Sequence, residues 1–164
     1  MKRPVALALG VGAVAIALVA GVLVKRAGRR AHTYQLLDSL AAVPLGMSLD
    51  AVHRAFPWLY CPESVHEHEP VCAAEVDGRD VRLEMPDHRV GSIELMAFGR
   101  DMPDVVAWTQ ARLGTPHGHC TLDDTRLAWW SRSGTTVTLM EPPPGGRARE
   151  LMIREGNGAP PGCV

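Results

Sequence analysis

The stretch Val71-Cys72-Ala73-Ala74-Glu75-Val76-Asp77-Gly78-Arg79-Asp80-Val81-Arg82-Leu83-Glu84-Met85 decides the fold class. Its second half alternates apolar residues, Val81, Leu83 and Met85, with charged ones, Asp80, Arg82 and Glu84. A period of two is the mark of a strand with one buried face, because successive side chains leave a strand on opposite sides. Asp77-Gly78 can adopt the positive φ values of a two-residue hairpin turn, so residues 72–76 are predicted to pair with the run that follows. A third strand is expected over residues 90–98, after a turn at Pro86-Asp87-His88.

A helix precedes these strands. Ser48 can cap it, Asp50 suits its first turn, Leu49, Val52 and Phe56 recur at helical spacing, and Pro57 ends it. The same order follows downstream. Asp101 can cap a helix with Pro103 near its start, Val105, Val106, Trp108 and Leu113 form its apolar side, and Gly114 and Pro116 close it. Residues 127–131, a turn near Ser133-Gly134, Val137 and Leu139 alternating with Thr136 and Thr138, and then Leu151 and Ile153 read as three more strands. Pro142-Pro143-Pro144-Gly145-Gly146 reads as a loop. The expected fold is therefore α+β: a domain over residues 45–155 made of two helix-plus-three-antiparallel-strand units. A Gly/Pro-rich tail, residues 156–164, has no apolar pattern to hold it unless Cys163 does.

The helix opening Gly46-Met47-Ser48-Leu49-Asp50-Ala51-Val52, closed by Phe56-Pro57, resembles the G-x-[ST]-x-x-x-V start of the SmpA/OmlA (BamE-like) envelope domains. The second unit repeats the ending as Leu113-Gly114-Thr115-Pro116. Tandem units of this kind, each with a short-range disulfide, resemble the β-lactamase inhibitory protein. The resemblance implies an exposed sheet that binds another protein, without a catalytic cleft. The chain departs from the BamE-like pattern in having an apolar run where those proteins carry a lipid.

That run, residues 5–24, contains no charged side chain and at 1.5 Å per residue is long enough for a hydrocarbon core of about 30 Å. It exceeds a signal-peptide core and stops at Lys25-Arg26-Ala27-Gly28-Arg29-Arg30, so residues 1–30 are expected to form a single-pass transmembrane anchor and not a cleaved leader. Tyr34, Leu36, Leu37 and Leu40 then suggest a short juxtamembrane helix within a linker over residues 31–44, stopped by Pro44.

Orientation draws two opposed signals. Four basic residues follow the run against Lys2, Arg3 and the α-amino group before it, which favours a cytoplasmic domain. All four cysteines, Cys61, Cys72, Cys120 and Cys163, lie in the domain, and an even set in a small turn-rich module reads as two disulfides formed in an oxidising compartment. A margin of one charge is the weaker signal, so the domain is expected to be extracytoplasmic. Of the three possible pairings, Cys61 with Cys72 and Cys120 with Cys163 keeps each bridge inside one unit.

The composition bounds the function. A formal net charge of −1 and a pI of about 6.6, with the basic residues concentrated beside the apolar run, argue against nucleic acid. The serines lie in no nucleophile motif, and there is no phosphate-binding glycine loop or His-Glu-x-x-His helix, so a non-enzymatic role without a cofactor is expected. Asp123-Asp124 and Glu67/Glu69 read as solvated turns. Trp129 and Trp130 are adjacent in a predicted strand and must face opposite sides of the sheet, and an exposed one would anchor a partner. The leading expectation is a membrane-anchored envelope module that binds a protein or envelope component. The alternative is an extracytoplasmic zinc or copper site built from His66, His68, His117 and His119 beside the cysteines.

Overall fold

The computed structural model describes residues 5–62, 70–98, 101–141 and 148–163, and for residues 5–22, 148 and 149 only their place in a helix or strand. The turns organise it. Asp77-Gly78 (φ 52° and 74°), Asp123-Asp124 (47° and 62°) and Ser133-Gly134 (52° and 82°) have positive φ at both central residues, the geometry whose twist matches that of the strands it joins. They create the hairpins of a seven-stranded antiparallel sheet: β1 (Val71–Val76), β2 (Arg79–Glu84), β3 (Ser92–Phe98), β4 (Gly118–Leu122), β5 (Thr125–Arg132), β6 (Thr135–Glu141) and β7 (Ala148–Glu155), in the order β1-β2-β3-β7-β6-β5-β4. Three α-helices accompany it, α1 (Val5–Ala41), α2 (Leu49–Ala55) and α3 (Met102–Leu113).

Two expectations are corrected here. The domain is not two separate helix-plus-three-strand units. β3 pairs with β7, Ile93 opposite Ile153 and Leu95 opposite Leu151, which fuses both halves into one sheet. The second half also has a fourth strand, β4, whose Gly-His-Cys-Thr-Leu sequence lacks apolar alternation because an exposed edge strand has little to bury.

The second correction concerns the anchor. Among the described residues no helix is long and apolar enough to cross a membrane, so the single-pass transmembrane reading is not supported. Residues 5–22, most of the predicted span, are described only as part of α1, and their side chains lie outside the described residues. The described side chains begin at Leu23 and meet Lys25, Arg26, Arg29 and Arg30 within two turns, too much charge for that stretch to cross hydrocarbon. No break separates these residues from the predicted juxtamembrane helix. Lys, Arg and Ala propagate a helix well, Gly28 alone costs only about 1 kcal/mol, and the next proline is Pro44.

The helices cover one face of the sheet. Val81, Leu83, Ile93, Leu95, Leu139 and Leu151 meet Leu36, Leu37 and Leu40 of α1, Val52 of α2, and Val105 and Trp108 of α3 in a single apolar core. Burial of each such aliphatic side chain stabilises by about 1.5–3 kcal/mol. Polar contacts fix α1 in place. Asp38 accepts from Trp108 Nε1 at 2.9 Å and from Arg112 Nη2 at 2.8 Å, joining α1 to α3. Arg79, 2% exposed, donates from Nη2 to Thr33 Oγ1 at 2.6 Å and lies 3.6 Å from Asp101. Two disulfides, Cys61–Cys72 and Cys120–Cys163, close the fold, and no described cysteine is free.

Candidate functional site

Among the described residues no helix covers the other face of the sheet. The strand registers place two rows of side chains there, Trp129–Thr138–Met152–Glu94–Arg82 and Leu127–Met140–Glu150–Met96–Asp80, each residue directly opposite the next. Alternation explains the division: Ala128, Trp130, Leu139, Leu151, Ile153 and Leu95 sit at the intervening positions and point into the helical layer.

The C-terminal tail closes one end of this open face. Cys163 is bonded to Cys120, which lies opposite Leu127, and Gly162 packs against Leu122. Thr136 Oγ1 donates to the Gly156 carbonyl at 3.0 Å, Gly134 N–H donates to Asn157 Oδ1 at 3.1 Å, and Gly158 N–H donates to Ser131 Oγ at 3.0 Å. Leu127, Thr136 and Thr138 are buried there, Leu127 outside the main core. Beyond the tail, Met96, Met140, Met152, Glu94, Glu150 and Trp129 are partly exposed, and Arg82 and Glu84 are exposed.

The electrostatics of the face are those of crowded carboxylates. Partial burial holds the Glu94 carboxyl above its ordinary range, with Glu150 and Glu84 adding to the effect and Arg82 opposing it. Partial burial raises Glu150 too; Arg82 opposes this and Glu84 reinforces it. Glu84 accepts a hydrogen bond from Ser92 Oγ at 2.9 Å.

The two tryptophans divide as alternation requires. Trp130 is buried and donates its indole N–H to the Gly114 carbonyl at 3.0 Å, holding the end of α3 against the sheet. Trp129 is half-buried on the open face and leans over Gly118 of β4. His117 and His119 are exposed at the β4 edge, where His117 Nδ1 accepts the Ser131 N–H at 2.8 Å. His66 and His68 lie outside the described residues. Among the described residues no group of three or more His, Cys, Asp or Glu side chains gathers as a metal site would require.

A second concavity lies between α1, α2 and the β1–β2 turn. Its volume is about 470 Å³, its apolar lining includes Leu36, Phe56, Trp58 and Val76, and His32 and Asp77 stand on its rim. Phe56 and Trp58 meet edge to face with centroids 5.9 Å apart. The rim groups are already engaged, since Asp77 lies 3.8 Å from both His32 and Arg79.

Sequence reasoning picked out Trp129 but not Glu94, Glu150, Met96, Met140 or Met152. The available signal was that Glu94 and Met96 share one parity in β3, and Glu150 and Met152 share one parity in β7, each opposite to the aliphatic residues of its strand.

No protein-family model matches the chain, and no curated protein matches it in sequence. Among solved structures it is similar to a DUF4309 family protein, YjgB, from Bacillus subtilis, with a TM-score of 0.43 and 12% identity over 64% of this chain and 76% of that one. The two disulfides fit an oxidising, extracytoplasmic compartment.

Proposed function

We propose that this chain is a non-enzymatic extracytoplasmic binding module that engages a protein or envelope component through the open face of its sheet. The observation that carries this reading is the set of adaptable and aromatic side chains, Trp129, Met152, Met96 and Met140, spread over two adjacent rows of a face that no described helix covers. Unbranched, polarisable methionines repack against varied surfaces, and a half-buried Trp is an effective anchor. The neighbouring charged residues form the polar rim that a reversible interface uses.

Site-specific photocrosslinking in the producing cells tests the reading. A photoreactive residue at Met152 or Met96 is expected to give a discrete adduct that Trp129→Ala weakens, whereas the same residue at Arg54 on α2 gives none. Equal adducts from Arg54, or no adduct from the sheet positions, would rule out the open face as the binding surface.

A further inference from the structure

The open face is acidic in a particular arrangement. Its described charges are Glu75, Asp80, Glu84, Glu94 and Glu150 against Arg82 and Arg154. At the β3–β7 seam Glu94 stands opposite Met152 and Met96 opposite Glu150. The two carboxylates therefore occupy one diagonal of a square and the two thioethers the other. Directly opposite side chains on a sheet are about 5 Å apart and diagonal ones about 7–8 Å, so one ligand can touch all four.

Arg82 stands opposite Glu94 and Met140 opposite Glu150, yet among the described residues neither Glu94 nor Glu150 enters an ion pair or a hydrogen bond. Glu84 is bonded to Ser92, which itself stands opposite Arg154. A second observation lies on the same row. Thr138, 2% exposed and flanked by Trp129 and Met152, has a hydroxyl with no hydrogen-bond partner among the described residues.

The geometry points to a partner that presents a basic, partly apolar segment: Lys or Arg heads on Glu94 and Glu150, with their aliphatic stems and neighbouring apolar side chains laid on Met96, Met140, Met152 and Trp129. This inference rests on the open face being the binding surface and names its partner's chemistry. Long basic side chains suit such a mosaic, because their stems cover apolar surface while their heads reach the carboxylates. A cation placed beside the two carboxylates favours their ionised forms, which partial burial disfavours. Binding therefore releases protons and strengthens as pH rises. The charged groups facing the two carboxylates are Asp80, Arg82 and Glu84 on β2 and Arg154 on β7.

The test titrates alternating Lys-Leu, Ser-Leu and Glu-Leu peptides into the intact, oxidised protein by calorimetry. The Lys-Leu peptide is expected to bind at least about tenfold more tightly than Ser-Leu, which corresponds to one net charge-assisted contact. That affinity should rise from about pH 5 to about pH 7.5 and fall with added salt. The E94Q/E150Q variant should lose the preference, while D50N/D123N, which removes the same charge elsewhere, keeps it. Equal or tighter binding of Ser-Leu or Glu-Leu that Met152→Ser abolishes would overturn the basic partner and leave the open face as the surface. Lys-Leu binding indifferent to both M152S and E94Q/E150Q, or no binding by any peptide, would overturn both. Self-association abolished by R29E/R30E would overturn the foreign partner in favour of α1 from a second copy.

Discussion

The indole of Trp129 covers Gly118 so closely that a β-carbon on the glycine would sit 2.3 Å from Cζ2 of the ring. The two residues are directly opposite in the β4–β5 pair. An edge glycine has no side chain to shield its backbone, and a neighbouring aromatic ring supplies the missing cover. The same contact keeps Trp129 folded towards β4 and leaves Met152 and Met140 accessible beside it.

Gly118→Ala should therefore dislodge the ring. Overpacking of this kind costs about 1–3 kcal/mol, read from the midpoint of denaturant unfolding. The variant should also change near-ultraviolet circular dichroism, since the Trp129 environment changes. An unaltered midpoint would mean that the ring does not depend on the glycine.

The Cys120–Cys163 bridge spans 43 residues in sequence, and in the chain-entropy account closing a loop of that length stabilises by about 4 kcal/mol. The double variant C120S/C163S should lose stability on that scale and expose Leu127, with faster amide exchange at Thr136 and Gly158. Protection unchanged at those amides would show that the Ser131 and Asn157 hydrogen bonds hold the tail without the bridge.

Asp38 receives both the Trp108 indole N–H and the Arg112 guanidinium. Asp38→Ala leaves a part-buried indole donor unpaired, and a lost hydrogen bond to a charged group costs about 1.5–3 kcal/mol, less here because Asp38 is partly solvated. Arg112→Ala alone should cost much less. Equal losses would place the strength of the α1–α3 contact in the exposed ion pair.

Arg79 puts a charge beneath α1, with Asp101 beside it at 15% side-chain exposure. Removing one partner of a buried pair strands the other, so Arg79→Met should destabilise by about 3–5 kcal/mol. Adding Asp101→Asn should recover part of the loss. If it recovers nothing, the Thr33 hydrogen bond carries the effect.

Glu94 and Glu150 carry folded-state pKa values raised above those of the unfolded chain. A carboxyl of this kind binds its proton more tightly when folded. Its contribution is most favourable below the unfolded pKa and is lost as pH rises through the folded one. E94Q/E150Q should consequently melt higher than the parent near neutral pH, and the difference should shrink below the carboxylate range. A difference that stays constant with pH would trace it to packing.

Local chemistry made much of the fold legible. Asp77-Gly78 and Ser133-Gly134 mark turns because few residues accept positive φ. The alternation of Val81, Leu83 and Met85 with charged residues marks a strand because side chains leave it on opposite sides. The helix ends at Pro57 and Gly114 follow from the same kind of short-range rule. β4 was not legible, since an edge strand of Gly, His and Thr buries too little to show a pattern; Asp123-Asp124 read as a solvated turn, but with β4 unseen nothing marked it as the β4–β5 hairpin.

The sequence by itself determined most of the strands and the two short helices, that the cysteines form an even set, and that Trp129 and Trp130 must part. Only the tertiary structure decided that β3 pairs with β7, that α1 continues from the basic run onto the sheet, and that Glu94, Glu150, Met96 and Met152 form one square. Turn geometry and side-chain period act over a few neighbouring residues. The β3–β7 seam joins residues fifty or more positions apart, and its register is set by which apolar faces bury together, a condition on the whole sheet that no single stretch carries.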